Sequence, residues 1–306
     1  MGRSQGSPHR AGVGVTMKPG TSSDLSTSGD RWWTDPRLRP GLVITLGLGL
    51  LALLAPVIAP GDPAALGSAA DRLAAPSGSH LLGTDLLGRD VLSRLVHGSR
   101  VSLLVGWVSV LVAVLLGTAV GLAAGMGPRW VDRFLMNTTD VFLAFPRIFL
   151  ILLLVSLTTP SLLLVMTVLG LTGWMGVARL VRAEALSLRE RDFVAAARGL
   201  GLSSWRVATG HVLPNLLPTI IVAATLRVGS AILAESFLSF LGLGAQEPTV
   251  SWGSMIQQGR GYLLDGWWLA TFPGLAIALT VLGYNLLGEG LRRRLDPRGG
   301  REGRDE

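Results

Sequence analysis

Four ionisable side chains, Asp140, Arg147, Arg227 and Glu235, stand inside long, otherwise uncharged runs of the chain. If those runs cross a bilayer, a charge at mid-depth costs roughly 2.5–3.5 kcal/mol on insertion scales, so each must face protein or water rather than lipid. Two chemistries are then open. The four can wall a polar pathway for a charged or amide-bearing solute, or they can pair between helices, an arginine with an acid. Arg227 lies eight residues before Glu235, more than two helical turns away, so these two cannot pair directly. Asp140 and Glu235 read as pairing residues. Arg147, expected some 13 residues into its helix, and Arg227, similarly deep, are open to either role.

Other chemistries are excluded by type or spacing. The chain has no cysteine, which removes disulfides, zinc knuckles and thiol chemistry. His9, His80, His97 and His211 show no metal-ligand spacing, and no serine, acid and base set stands out. The single lysine, Lys18, is followed by Pro19, so the Gly-Lys-Ser/Thr of a phosphate-binding loop is missing. The net charge of +7 comes from arginines placed between apolar runs rather than on one soluble face, which argues against nucleic acid. A non-catalytic chain without metal or cofactor is expected.

One further stretch has the residue types for recognition. Between two apolar runs lies RLVRAEALSLRERDFVAAARGLGLSSWRVATGHVLPN, with Phe193, Ala196, Ala197 and Leu200 at the i, i+3, i+4, i+7 spacing of one helical face. Residues 182–199 are predicted helical. Gly201 is the natural stop, Ser203 or Ser204 a natural cap for a second short helix, and Pro214 its end. An apolar stripe on such a loop can lie in lipid headgroups or dock into a groove on a partner.

The elements that must position these residues follow from hydropathy. The chain of 306 residues is 49% hydrophobic and 15% charged, against about a quarter charged in an ordinary soluble domain. About 20 apolar helical residues cross a 30 Å hydrocarbon core. Six segments qualify: Gly41 to Ala59, Val101 to about Gly127, Phe134 to about Leu157, Ser161 to about Ala178, about Leu216 to Leu243, and Trp267 to about Leu287. An all-α polytopic membrane protein with six transmembrane helices is expected. Roughly 40 residues precede the first span, too many for a signal-peptide n-region, so it reads as an uncleaved anchor. Residues 1–30, rich in Gly, Ser and Thr, read as a disordered tail, and Met17 is a plausible start. Fifteen arginines fall in the connections on the side of both termini and five on the other, which predicts both termini inside. Gly117, Gly121 and Gly125 repeat every fourth residue of the second span, so another helix is expected to approach closely there.

The loop between the fourth and fifth spans resembles the cytoplasmic signature loop of ABC importer permeases, in which an EAA triplet is followed by glycine and then I-x-L-P. Ala195-Ala196-Ala197, Gly201 and His211-Val212-Leu213-Pro214 keep that spacing, with Ala195 in the glutamate position and His211 in the isoleucine position. The form DFVAAARGLG…HVLPN is the dialect of the dipeptide, oligopeptide and nickel branch. Gly83-Thr84-Asp85, Gly88-Arg89-Asp90 and Ser93-Arg94 resemble the same branch, as do Asp132-Arg133 and Ala144-Phe145-Pro146. Further matches are Leu238 to Gly244, Ser251 to Ser254, Pro273-Gly274, Asn285 to Gly288 and Leu295 to Arg298, so that the likeness covers about residues 37–298.

The resemblance implies a type I ABC importer permease fold, forming with a second homologous permease a membrane pathway for di- or oligopeptides. It implies two ATPase subunits beneath, an extracytoplasmic substrate-binding protein, and a multi-pass place in the inner or plasma membrane, in contact with lipid. Coupling to the ATPase would fall to Phe193, Ala195, Ala196, Ala197, Gly201, Leu213 and Pro214. The implied organisation is a cytoplasmic tail over 1–36, a first helix and outer segment over 37–98, a transmembrane domain over 99–290 with a coupling loop at 180–215, and a C-terminal tail over 291–306. The same family also moves nickel and other small solutes. A carrier driven by an ion gradient, with Asp140 and Glu235 as proton sites, is the rival from another class, but no inverted repeat is visible and such a carrier has no need of the loop.

Overall fold

The helix α3, Val91–Met126, is 36 residues long, or about 54 Å at 1.5 Å per residue, and all other spans pack around it. The computed structural model describes Gly2, residues 36–59 and residues 61–295. The expected tail over 1–36 (but for Gly2 and Pro36), Met17 and the terminal stretch 296–306 lie outside the described residues.

In chain order the helices are α1 (Leu38–Leu53), α2 (Ala55–Ile58), α3, α4 (Arg129–Ala144), α5 (Arg147–Ser156) and α6 (Leu162–Leu171). After these come α7 (Trp174–Arg189), α8 (Asp192–Gly199), α9 (Ser204–Val207), α10 (Leu213–Phe240), α11 (Trp252–Gly259) and α12 (Trp268–Leu295). The described residues hold no β-strand, only an isolated bridge between Thr84 and Asp90. Three apolar cores meet on α3. Leu103 and Val110 pack with α10, α11 and α12. Leu122 and Met126 pack with α7, α8 and α10. Val105 packs with α5, α6 and α10.

The six expected spans resolve differently in detail. Four are helices long and apolar enough to cross a membrane: α3, the run Leu162–Arg189 formed by α6 and α7, the run Ser204–Phe240 ending in α10, and α12. The expected third span is not one helix. It breaks between α4 and α5 with an 82° bend, because Pro146 cannot donate the ladder hydrogen bond and drives Phe145 into extended backbone (φ −85°, ψ 133°). Counting that pair as one span gives five. The first expected span is α1, an apolar helix of 16 residues, continued past a break at Leu54 by α2.

Three boundaries also moved. α3 starts at Val91, ten residues before the expected start, because Asp90 caps it by accepting from the Ser93 amide at 2.8 Å. α7 ends at Arg189, so 182–199 is two helices rather than one. Pro214 does not end a helix. It lies inside the helical run Ser204–Phe240, at the start of α10, and the π-helical turn over Ala208–Val212 just before it accommodates a ring that has no N–H to give.

Candidate functional site

The connection from α7 to α10 is a compact knob built on one terminus. α8 ends in a Schellman motif: the Gly201 amide donates to the Arg198 carbonyl at 2.9 Å and the Leu202 amide to the Ala197 carbonyl at 3.2 Å. This requires φ of +81° at Gly201. A Cβ there would meet nothing within 4 Å, so the need for glycine is purely conformational. Leu202 packs back on Ala197 beside Val194, Val207 and Val212, and that layer seats on Leu122 and Met126 of α3 and Val181 and Ala185 of α7.

The knob therefore buries Val194 and Ala197 and turns the rest of the expected stripe outward. Phe193 is 40% exposed, Leu200 84% and Trp205 74%, with Ala195 and Ala196 exposed beside them. Of the four residues in the expected stripe only Ala197 faces the protein. α8 is separate from α7, and its register is set by the α3–α7 surface on which it lands. Leu213 is partly buried at the base and Pro214 exposed.

The intramembrane charges separate into two kinds. Asp140 pairs with Arg179 at 2.5 Å, and Asp132 pairs with Arg182, so α4 is held to α7 by two ion pairs. Glu235 is fully buried, and its partners are hydroxyls rather than an arginine: Ser239 donates at 2.6 Å, Ser236 at 3.3 Å and Ser102 at 3.5 Å. Arg147 is not deep within a helix, as expected, but begins α5 just after the Pro146 break. It donates to the Leu169 carbonyl at 3.4 Å, and Arg227 donates to the Gly173 carbonyl at 3.2 Å. Leu169 stands in the last turn of α6, among the carbonyls that a helix end leaves free, and Gly173 is the residue before α7. Gly176 makes room for Arg227: a Cβ there would lie 2.5 Å from Nη2. The two arginines line one cavity of about 320 Å³.

Asp85, Arg89 and Arg94 carry part of the family resemblance, and residue type alone assigns them no role. They form a buried network. Asp85 accepts from Arg89 Nε at 2.7 Å and lies 3.2 Å from Arg94 Nη1. Arg89 reaches Glu247 at 2.9 Å and Arg94 reaches Gln258 at 2.8 Å. This ties the approach to α3 to the α10–α11 connection and to α11. The only sequence signal is that two arginines and an aspartate within ten residues must be neutralised if buried.

An all-helical bundle with broken spans, ion-paired helices and a projecting knob defines a polytopic membrane protein of the permease class. Residues 117–300 match the family described as "Binding-protein-dependent transport system inner membrane component", and the chain belongs to that family. It is 42% identical over 258 residues to the dipeptide transport system permease protein DppC of Alkalihalophilus pseudofirmus, covering 84% of each chain. It is 41% identical to the probable D,D-dipeptide transport system permease protein DdpC of Escherichia coli, covering 84% of this chain and 86% of that one. Among solved structures, the inward-facing MetNI methionine ABC transporter is similar with a TM-score of 0.57 and 18% identity, over 67% of this chain and 97% of that chain. The fold is therefore the ABC importer permease fold that the loop resemblance implied.

Proposed function

We propose that this chain is a peptide permease subunit: with a second homologous permease it forms the pathway for di- or oligopeptides, and through its knob it couples to a separate ATPase. The observation that carries the reading is the knob. A glycine-locked turn presents Phe193, Ala196 and Leu200 as a rigid apolar ridge on a connection otherwise rich in charge. A helix with apolar anchors at i, i+3 and i+7 fits a groove on a partner, and a ridge fixed to α3 and α7 transmits the partner's movement to the spans that carry the pathway.

The peptide assignment is supported by the names of the relatives, both of which are dipeptide permease proteins. In this reading ATP is hydrolysed on two partner subunits and an extracytoplasmic binding protein delivers the solute. Both termini and the knob are cytoplasmic, and the organisation is that implied above, with the coupling loop at 180–215.

The test is ATP-driven uptake of a labelled dipeptide by proteoliposomes holding the complete importer and its binding protein. Uptake that needs internal ATP and the binding protein, and that a dissipated ion gradient leaves intact, is expected. Uptake that persists without ATP and collapses with the gradient would refute the reading.

A further inference from the structure

Ser109, Arg147, Gly173, Arg227 and Ser230 line one cavity of about 320 Å³, and it carries two cations without an acid. The contrast within the chain is sharp. Arg89, Arg94, Arg179 and Arg182 each sit against a carboxylate. Among the described residues Arg147 and Arg227 have no such partner, and each gives one hydrogen bond to a backbone carbonyl. A guanidinium has five donors in a planar fork, so most of each fork remains free. Arg147 is exposed and Arg227 half-buried, which leaves both open to a solute.

Two like charges in one recess repel each other and are costly to desolvate, so the arrangement favours whatever brings negative charge into it. A carboxylate is the natural visitor, since it accepts two parallel N–H bonds from a guanidinium. Peptide side chains vary from substrate to substrate. The terminal carboxylate is the one anionic group that every linear peptide carries, and a site for it admits many sequences while fixing one end. The volume, at the lower limit of small-molecule sites, takes a small dipeptide or the carboxylate end of a longer peptide.

We propose that the Arg147–Arg227 cavity is a transit site that takes the C-terminal carboxylate of the peptide on its way through the membrane, an assignment resting on the peptide reading above. It binds briefly rather than tightly, since a conducting site must also release.

The experiment compares labelled alanylalanine with alanylalanine amide in proteoliposomes of the complete importer, each supplied so that the binding protein is equally filled. Arg227→Gln and Arg147→Gln are expected to lower uptake of the free acid roughly tenfold while amide uptake stays within about twofold, the size of one lost charge-assisted interaction. Arg227→Lys, which keeps the charge, is expected to keep most of the preference for the acid. Equal losses for acid and amide in an assembled complex, or undiminished uptake of the acid, overturn the carboxylate site and leave the peptide reading standing. Failure of the unmodified importer to move any di- or oligopeptide overturns the peptide reading, and the site falls with it.

Discussion

Glu235 is a fully buried carboxyl answered by hydroxyls alone. Ser239 donates the shortest bond, 2.6 Å, and also receives the Ser251 hydroxyl and the Ala245 amide at 3.2 Å each, so one side chain joins α10 to the segment that leads into α11. Ser239→Ala should destabilise the protein by about 1–3 kcal/mol, because it leaves a buried acceptor short of a donor. Thermal unfolding in detergent checks this, and an unchanged midpoint would show that the hydroxyl is dispensable. Glu235→Gln should do less harm, since an amide retains an acceptor for Ser239. The need for a partner at Glu235 was legible in the sequence, because a charge in an apolar run must be neutralised or hydrogen-bonded. Ser239, four residues on in the same helix, was within reach of the sequence too; Ser102, 133 positions away, was not. Asp140 pairs with Arg179, which lies within α7 rather than in a loop.

At the level of elements, the Gly117–Gly121–Gly125 stripe of α3 is the plainest case of sequence specifying contact. α7 runs so close that a Cβ on Gly121 would lie 2.5 Å from the Ala178 carbonyl and 2.8 Å from Val181 Cβ, while Gly117 and Gly125 face Val177 and Ala185. Gly121→Ala should therefore cost about 1–3 kcal/mol through overpacking, despite the better helix propensity of alanine. Gly47→Ala in α1, where nothing lies within 4 Å, is the control and should be neutral or stabilising. Equal unfolding midpoints for the two variants would contradict the close packing. The breaks were harder to read. A 20-residue window averages over Asp140, Pro146 and Arg147 and returns a single span, although the backbone turns there by 82°; Pro146 was the one visible sign of the break. The start of α3 was hidden for the opposite reason. Arg94 and Arg100 look like a loop, but Arg94 is 1% exposed, is paired with Asp85 and donates to Gln258, 164 residues away. A hydropathy window sees the charge and not the distant partner. The π-turn before Pro214 left no signal in residue type at all.

For the whole molecule, the arginine asymmetry predicts that residues 61–100 and 244–266 share the outer face, with the knob and both termini inside. The absence of cysteine makes this testable with single thiols at Ser68 and Leu264, both exposed. Labelling of both by an impermeant reagent in intact cells is expected, and protection of both until the membrane is permeabilised would invert the topology. The central claim, that the knob passes ATPase movement to the spans, rests on a backbone conformation rather than on a side chain, and this gives a discriminating pair of substitutions. Gly201 holds φ of +81°, which asparagine tolerates and a β-branched residue resists. The measurement is ATP-driven dipeptide uptake at equal membrane content of the subunit. Gly201→Asn should keep most of the uptake and Gly201→Val should lose it while the subunit remains inserted. Normal uptake by Gly201→Val would contradict the account.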